Sequence, residues 1–191
     1  PPHPPTPMHA DTVIRAGRPA DAPLLAALAT QVFLHTYATQ GISEVIAGHV
    51  LAEFTPAKFQ SWLASDAAAV LVAEKNAHLV GYARLAFGAV CPVPGAGTAE
   101  LATLYVQEHF TGRGVGAALL AQAQVLALQR TQLPLWLTVN AQNARALAFY
   151  AAQGHSKIGT ASFALGGESH ENHVMLAPTE ISVPPAPHGA A

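Results

Sequence analysis

The sequence predicts a mixed α+β domain, and three observations carry that prediction. Strand and helix patterns follow one another in the order strand, helices, three strands, helix, strand, helix, two strands. Hydrophobic residues make up 51% of 191 residues, enough to bury the core of one ordinary domain. A β-branched strand end at Tyr105-Val106 runs through a short turn into Gly112-Arg113-Gly114-Val115-Gly116 and an apolar-periodic helix. No internal repeat divides the chain.

The elements follow from local signals. Residues 1–11 and 178–191 are rich in proline or polar residues and are predicted as flexible tails around one domain at 12–177. Thr12–Arg15 reads as a short strand. Asp21 stands where a helix N-cap belongs, and Leu24, Leu25, Leu28, Val32 and Phe33 follow at helical spacing. A second helix is predicted from Ser43 to Glu53. Thr55-Pro56 opens a third, threonine as cap and proline in the first turn, with Phe59, Trp62 and Leu63 as its buried stripe. Ala69–Ala73 and Leu79–Phe87 read as a hairpin about the polar turn Glu74–His78, and Cys91–Gly97 as a loop. A strand over Thr98–Val106 leads to the glycine turn and a helix reaching Arg130. Leu135–Val139 is the next strand, Asn143–Gln153 the next helix, with Gly154 at its C-terminal end. Ser156–Leu165 and Glu171–Leu176 close the domain as a hairpin around Gly166-Gly167.

Composition narrows the function. A formal net charge of −2 offers no broad basic field for nucleic acid or an anionic bilayer. No apolar run reaches the roughly 18–20 residues of a membrane span. A single cysteine, Cys91, rules out an internal disulfide, and the N-terminal residues lack a signal-peptide pattern, so a cytoplasmic setting is expected. The ten histidines are scattered. In His170-Glu171-Asn172-His173 they lie three apart on a strand pattern, unlike the helical pair of a zinc protease, and no metal is expected.

Chemistry concentrates in two places. The glycines at 112, 114 and 116 let the backbone bend and approach a ligand, and the helix behind them begins with free N–H groups. That is a phosphate cradle; tight packing of a helix on a strand explains the same glycines. The turn lacks the Lys-Ser/Thr of a P-loop, and no βαβ unit of a dinucleotide fold follows it. Asn143 and Tyr150 lie seven apart on one predicted helix, on one face and about 10 Å apart along its axis. They can touch a long ligand at two points, or serve as a capping Asn and a half-buried core Tyr.

These segments resemble the acetyl-coenzyme A site of the GNAT superfamily of N-acetyltransferases. That family's Gln/Arg-x-x-Gly-x-Gly/Ala loop is matched by Thr111-Gly112-Arg113-Gly114-Val115-Gly116 except at Thr111. Its Asn-x-x-Ala-x-x-Phe/Leu-Tyr-x-x-x-Gly-Phe motif is matched by Asn143, Ala146, Phe149, Tyr150 and Gly154, with His155 in place of Phe. The resemblance implies a mostly antiparallel mixed sheet of six to seven strands, splayed at the acyl-coenzyme A site and flanked by four to five helices. It implies that backbone groups of Leu104, Tyr105 and Val106 pair with the pantetheine arm. Amides from Gly112 through Ala117 (Gly112, Arg113, Gly114, Val115, Gly116, Ala117) would hold the pyrophosphate, Asn143 would touch the pantetheine, and Tyr150 would lie near the sulfur. Thr111 leaves one phosphate contact weaker or different. A homodimer is an assembly common among such relatives.

The chemistry of acetyl transfer assigns two further roles. An alkylamine of pKa near 10.4 is neutral in only about one molecule in 2,500 at pH 7, a cost of roughly 4.6 kcal/mol. Glu100, four residues ahead of the Leu-Tyr-Val segment, is the candidate base, with a strand-edge charge or salt-bridge partner as the alternative. Tyr150 is the candidate donor to the departing thiolate. Transfer is expected to be direct; Cys91 offers a minor acyl-cysteine route, with no base evident beside it. Val32–Tyr37, Phe54–Phe59, Glu100–Val106 and the Gly166–His173 segment resemble bacterial polyamine acetyltransferases of the PaiA-like kind. That implies a small amine or polyamine acceptor, met by Phe33, Tyr37, Glu100, Glu168 and Glu171. A protein N-terminus or lysine is the alternative acceptor, and a non-catalytic acyl-coenzyme A sensor the alternative class.

Overall fold

A computed structural model describes residues 11–165 and 168–180, less the side chains of Leu165 and Glu168. Seven strands form one sheet: β1 Thr12–Ala16, β2 Ala68–Lys75, β3 His78–Phe87, β4 Ala99–Val106, β5 Trp136–Asn140, β6 Ser156–Leu165 and β7 Glu168–Leu176. Five α-helices cover it: α1 Ala22–Tyr37, α2 Glu44–Glu53, α3 Pro56–Ala64, α4 Val115–Thr131 and α5 Ala144–Ala152. The strand order is β1-β2-β3-β4-β5-β7-β6. Every neighbouring pair is antiparallel except β4 and β5. The Gly166-Gly167 turn and most of both predicted tails lie outside the described residues.

Each face of the sheet has its own cover. Leu71, Ala83, Leu85, Leu101, Leu137, Val139 and Met175 share a core with Leu119, Leu120 and Ala123 of α4, and Leu147 and Phe149 of α5 pack on it. Across the sheet, Val70, Val72 and Tyr82 meet Leu25, Leu28 and Ala29 of α1 and Phe59 of α3. Beyond β4 this second face is covered by the 88–97 loop, through Cys91, Val93 and Ala96 on Trp136 and Val174.

Several elements begin as their sequence dictates. Ser43 Oγ accepts the Ile46 amide at 3.3 Å and Thr55 Oγ1 the Lys58 amide at 3.2 Å, so both cap a helix. Gly154, at φ +85°, ends α5. Other predicted details are corrected. The hairpin turn is only Asn76-Ala77, at φ 49° and 63°, while Glu74 and Lys75 extend β2 and His78 begins β3. A two-residue turn with both φ positive matches strand twist. Asp21 is the N-cap residue of α1, as its position predicts, but its side chain makes no hydrogen bond to the amides of that helix. Its carboxylate instead accepts the Arg18 amide at 2.7 Å and two bonds from Arg15, at 2.7 and 3.0 Å. Leu24 faces outward, and Ala22, Ala26 and Ala29 take the buried face, where small side chains let α1 lie close on the sheet.

Candidate active site

The parallel neighbours β4 and β5 share one register pair, Glu100 with Trp136. Beyond it the strands part, and the C-terminal half of β4 keeps only β3 as partner. The Gln107 amide donates to the Val80 carbonyl on β3 at 2.9 Å. Antiparallel alternation then turns the backbone of Tyr105 toward β3 and that of Leu104 and Val106 into the gap. Of the three residues expected to offer backbone groups there, Leu104 and Val106 do so, while Tyr105 is spent on the sheet.

The glycine turn stands at the mouth of this gap. Gly112 and Gly114 adopt φ +70° and +79°, a left-handed conformation that glycine enters without strain. Gly114 is the N-cap of α4, and the first helical bond runs from Ala118 N to Gly114 O at 3.0 Å. No acceptor is recorded among the described residues for the amides of Gly112, Arg113, Gly114, Val115, Gly116 and Ala117. They form a row of unsatisfied donors at the positive end of a long helix. Thr111 adds nothing to that row: its amide and its hydroxyl both donate to the Glu108 carbonyl, at 3.2 and 2.9 Å.

Asn143 is the N-cap of α5 and not a residue on its flank; its Oδ1 accepts the Ala146 amide at 3.1 Å. Only its side-chain NH₂ remains to meet a ligand. Tyr150 is half-buried against the α4 face of the core, its ring 5.1 Å from Phe149 and 5.6 Å from His155. Burial raises its phenol to a pKa of about 12. No protein group among the described residues hydrogen-bonds its hydroxyl. His155, where phenylalanine is usual in the motif, is buried, with Nε2 3.4 Å from the Gln124 amide nitrogen. Desolvation holds its pKa below the ordinary imidazole value.

Glu100 lies across the sheet from Tyr150. It shares the α1/α3 face with Arg84, Thr103 and Tyr105, because β4 pairs Glu100 with Ala86 and Thr103 with Arg84. Burial pushes the Glu100 carboxyl above the usual carboxylate range, and the charge of Arg84 partly offsets it. Arg84 stacks 4.1 Å over the Trp62 ring, and its buried Nε has no hydrogen-bond partner. The strand sequence signalled Arg84 as a lone charge among Leu79–Phe87, yet it carried no motif. Phe33 and Tyr37 stand on α1 with ring centroids 4.6 Å apart, and Phe54 links Phe33, at 5.5 Å, to Tyr105, at 6.4 Å. Glu171 is exposed and belongs with His173, 3.8 Å away, on the α5 side of β7, opposite Glu100. The Glu168 side chain lies outside the described residues. Cys91 is buried against Trp136 and Val174. Among the described residues no three His, Cys, Asp or Glu side chains converge as metal ligands.

The parted β4–β5 pair, the free amides at the start of α4 and half-buried Tyr150 on α5 make an arrangement suited to an extended acyl donor. The acetyltransferase (GNAT) family pattern matches residues 37–155. A protein of Mycobacterium tuberculosis named an uncharacterized N-acetyltransferase is 35% identical over 156 residues, covering 82% of this chain and 96% of its own length. The chain belongs to the GNAT family and is an acetyltransferase. Solved structures agree in fold. The PaiA N-acetyltransferase of Thermoplasma acidophilum, in complex with coenzyme A, superposes at TM-score 0.66 with 20% identity, over 87% of this chain and 98% of that one. The ribosomal-protein-alanine N-acetyltransferase of Brucella melitensis gives 0.59 with 27% identity, over 86% and 98%.

Proposed function

We propose that the protein transfers an acetyl group from acetyl-coenzyme A to a primary amine, a small amine or polyamine, by direct attack within a ternary complex in the cytoplasm. The observation that carries this reading is the gap itself, closed at Glu100 and open at the amide row of Gly112–Ala117. An extended pantetheine arm would complete the sheet along Leu104 and Val106. The amide row suits its pyrophosphate.

Glu100 then stands on the α1/α3 side of the gap and Tyr150 on the α4/α5 side, so a thioester threaded between them meets a base on one face and a hydroxyl on the other. A carboxylate with a raised pKa is a better base for an ammonium proton, directly or through one water. Once Glu100 has passed the ammonium proton on to solvent, the neutral amine attacks the acetyl carbon, the C–N bond forms, the C–S bond breaks, and the remaining proton on the nitrogen leaves toward Glu100. The departing thiolate has a conjugate-acid pKa near 8.5. Full proton transfer from a phenol at about 12 would be uphill by roughly 5 kcal/mol. Tyr150 therefore serves as a hydrogen-bond donor to the thiolate, which takes its proton from solvent.

A protein N-terminus is the second reading, favoured by the 27% identity to the ribosomal-protein-alanine enzyme. The test measures thiol release from acetyl-coenzyme A with spermidine, a panel of small amines, and N-terminal peptides. Release with spermidine or a small amine supports the leading reading, and release with peptides alone supports the second. Binding of acetyl-coenzyme A with no release in any arm would make the protein a non-catalytic sensor. Tyr150→Phe is expected to lower kcat by about tenfold or more, and an unchanged kcat would remove the hydroxyl from the mechanism.

A further inference from the structure

Nine lysines and arginines serve the whole chain. Arg15 is spent on Asp21 and Glu74, Lys58 on Glu53, and Arg130 on the Phe87 ring. Lys75 and Arg113 are arranged differently. They come from separate elements, Lys75 ending β2 and Arg113 lying in the glycine turn, yet both sit over one ring. Lys75 Nζ is 5.9 Å and the Arg113 guanidinium carbon 5.8 Å from the centroid of Phe110. Neither has a carboxylate partner among the described residues. Glu74, beside Lys75, points its carboxylate at Arg15, and Glu108 lies 3.7 Å from His35.

The ring is held in place, since Phe110 packs on the α4 side of the core. Attraction of a cation to an exposed ring face is weak, and two cations gathered on one ring repel each other. The arrangement leaves a concentration of positive charge directly before the amide row. A mobile surface pair would cost ordering entropy for nothing; a pair seated on a fixed ring is already placed for an anion. The amide row offers neutral dipoles, suited to a pyrophosphate diester. The cation pair suits a phosphomonoester, which carries up to two charges at neutral pH and three acceptor oxygens.

We propose that Lys75 and Arg113, seated on Phe110, form a clamp for the 3′-phosphate of the coenzyme A cofactor, next to the pyrophosphate on the turn. This rests on the coenzyme A reading of the gap. Lys75 belongs to neither sequence motif, so the clamp explains how the site gains a cationic contact although Thr111 has no free donor to give.

The test measures the affinity of the full chain for coenzyme A and for 3′-dephospho-coenzyme A by titration calorimetry, in the parent protein, Lys75→Gln, Arg113→Gln and Lys75→Arg. The parent is expected to prefer coenzyme A by about tenfold, and each glutamine variant to lose roughly three- to fivefold of that preference. Lys75→Arg restores it, and the preference shrinks as salt is raised. A parent that binds both forms equally, or glutamine variants that keep the full preference, would overturn the clamp alone. Equal weakening of both ligands in Lys75→Gln would also overturn it, because the lysine would then support the turn and not the phosphate. A parent that binds neither form overturns the coenzyme A reading and the clamp with it.

Discussion

Gly81 gives the sharpest test of how the sheet shapes the gap. It lies buried on β3 opposite Val106, at an ordinary φ that any residue adopts, so only space requires glycine there. A Cβ at Gly81 would stand 2.9 Å from the Tyr105 carbonyl oxygen, 3.2 Å from Leu119 Cδ1 and 3.4 Å from Val106 Cγ2. The leucine and valine methyls can shift by tenths of an ångström. The carbonyl belongs to a strand paired on that side, and it moves only if β4 moves. Overpacking of this kind costs about 1–3 kcal/mol, a fall in Tm of roughly 3–10 °C for a domain of this size. Because β4 displaced from β3 shifts toward the gap, Gly81→Ala should also weaken coenzyme A binding, read by titration calorimetry alongside thermal unfolding. Gly116→Ala is the control: its Cβ meets Phe149 Cζ at 3.6 Å and Val106 Cγ2 at 3.7 Å, ordinary contacts at an ordinary φ. That variant should be neutral or gain up to about 1 kcal/mol. Gly81→Ala with unchanged Tm and unchanged affinity would refute the idea that close strand approach sets the gap.

Three further outcomes follow from the same contacts. Glu100→Gln should cut kcat/KM by about 100-fold and flatten the acidic limb of its pH profile. The folded carboxyl binds its proton more tightly than the unfolded one, so its contribution to stability declines as pH rises above the ordinary carboxyl value of 4.5; the Tm of the variant relative to parent should therefore rise between pH 4 and 7 in thermal melts. Asp21 has the opposite sign, its pKa lowered chiefly by Arg15, so its stabilisation is present above 3.8 and is lost as pH falls below that; Asp21→Asn should cost about 2–4 kcal/mol in urea unfolding at pH 7 and remove that acid dependence. Cys91→Ser should leave turnover intact and show no acyl-enzyme by mass spectrometry, and loss of turnover in a folded Cys91→Ser protein would return the covalent route to consideration.

Most of the architecture was legible because its signals are local. Thr55-Pro56 opens α3, Gly154 ends α5 and Ser43 caps α2, each within one helical turn of the residues it governs. Leu24 belongs to the apolar spacing of α1 yet faces outward, because closeness to the sheet selects the face of Ala22, Ala26 and Ala29. Asp21 holds the N-cap position its sequence predicts, but the bonding of its carboxylate is not legible there, because its partner, Arg15, comes from the preceding strand. In the candidate site, the glycine turn and Tyr150 each carry a motif of their own. Arg84 beside Glu100, Lys75 over Phe110 and Gln124 against His155 do not. Each depends on strand register or on which helix lies over which strand, and neither is encoded within a short window. The division of labour among Leu104, Tyr105 and Val106 was hidden for the same reason, since only the pairing with β3 shows which backbone groups are already spent.

The single register pair between β4 and β5 also bears on what holds the molecule together when the cleft is empty. The backbone groups of Leu104 and Val106 then have water in place of a neighbouring strand, so their amides should exchange with solvent far faster than those of Leu101 or Val139. On the proposed reading, an extended ligand laid along them would act as a removable eighth strand. Its contribution grows with its concentration, by about 2.7 kcal/mol at 100 times its dissociation constant. The melting temperature of such a protein is consequently not a fixed property of its chain. Inside a cell it would follow the supply of the cofactor, and a starved enzyme would be the one most readily unfolded and cleared.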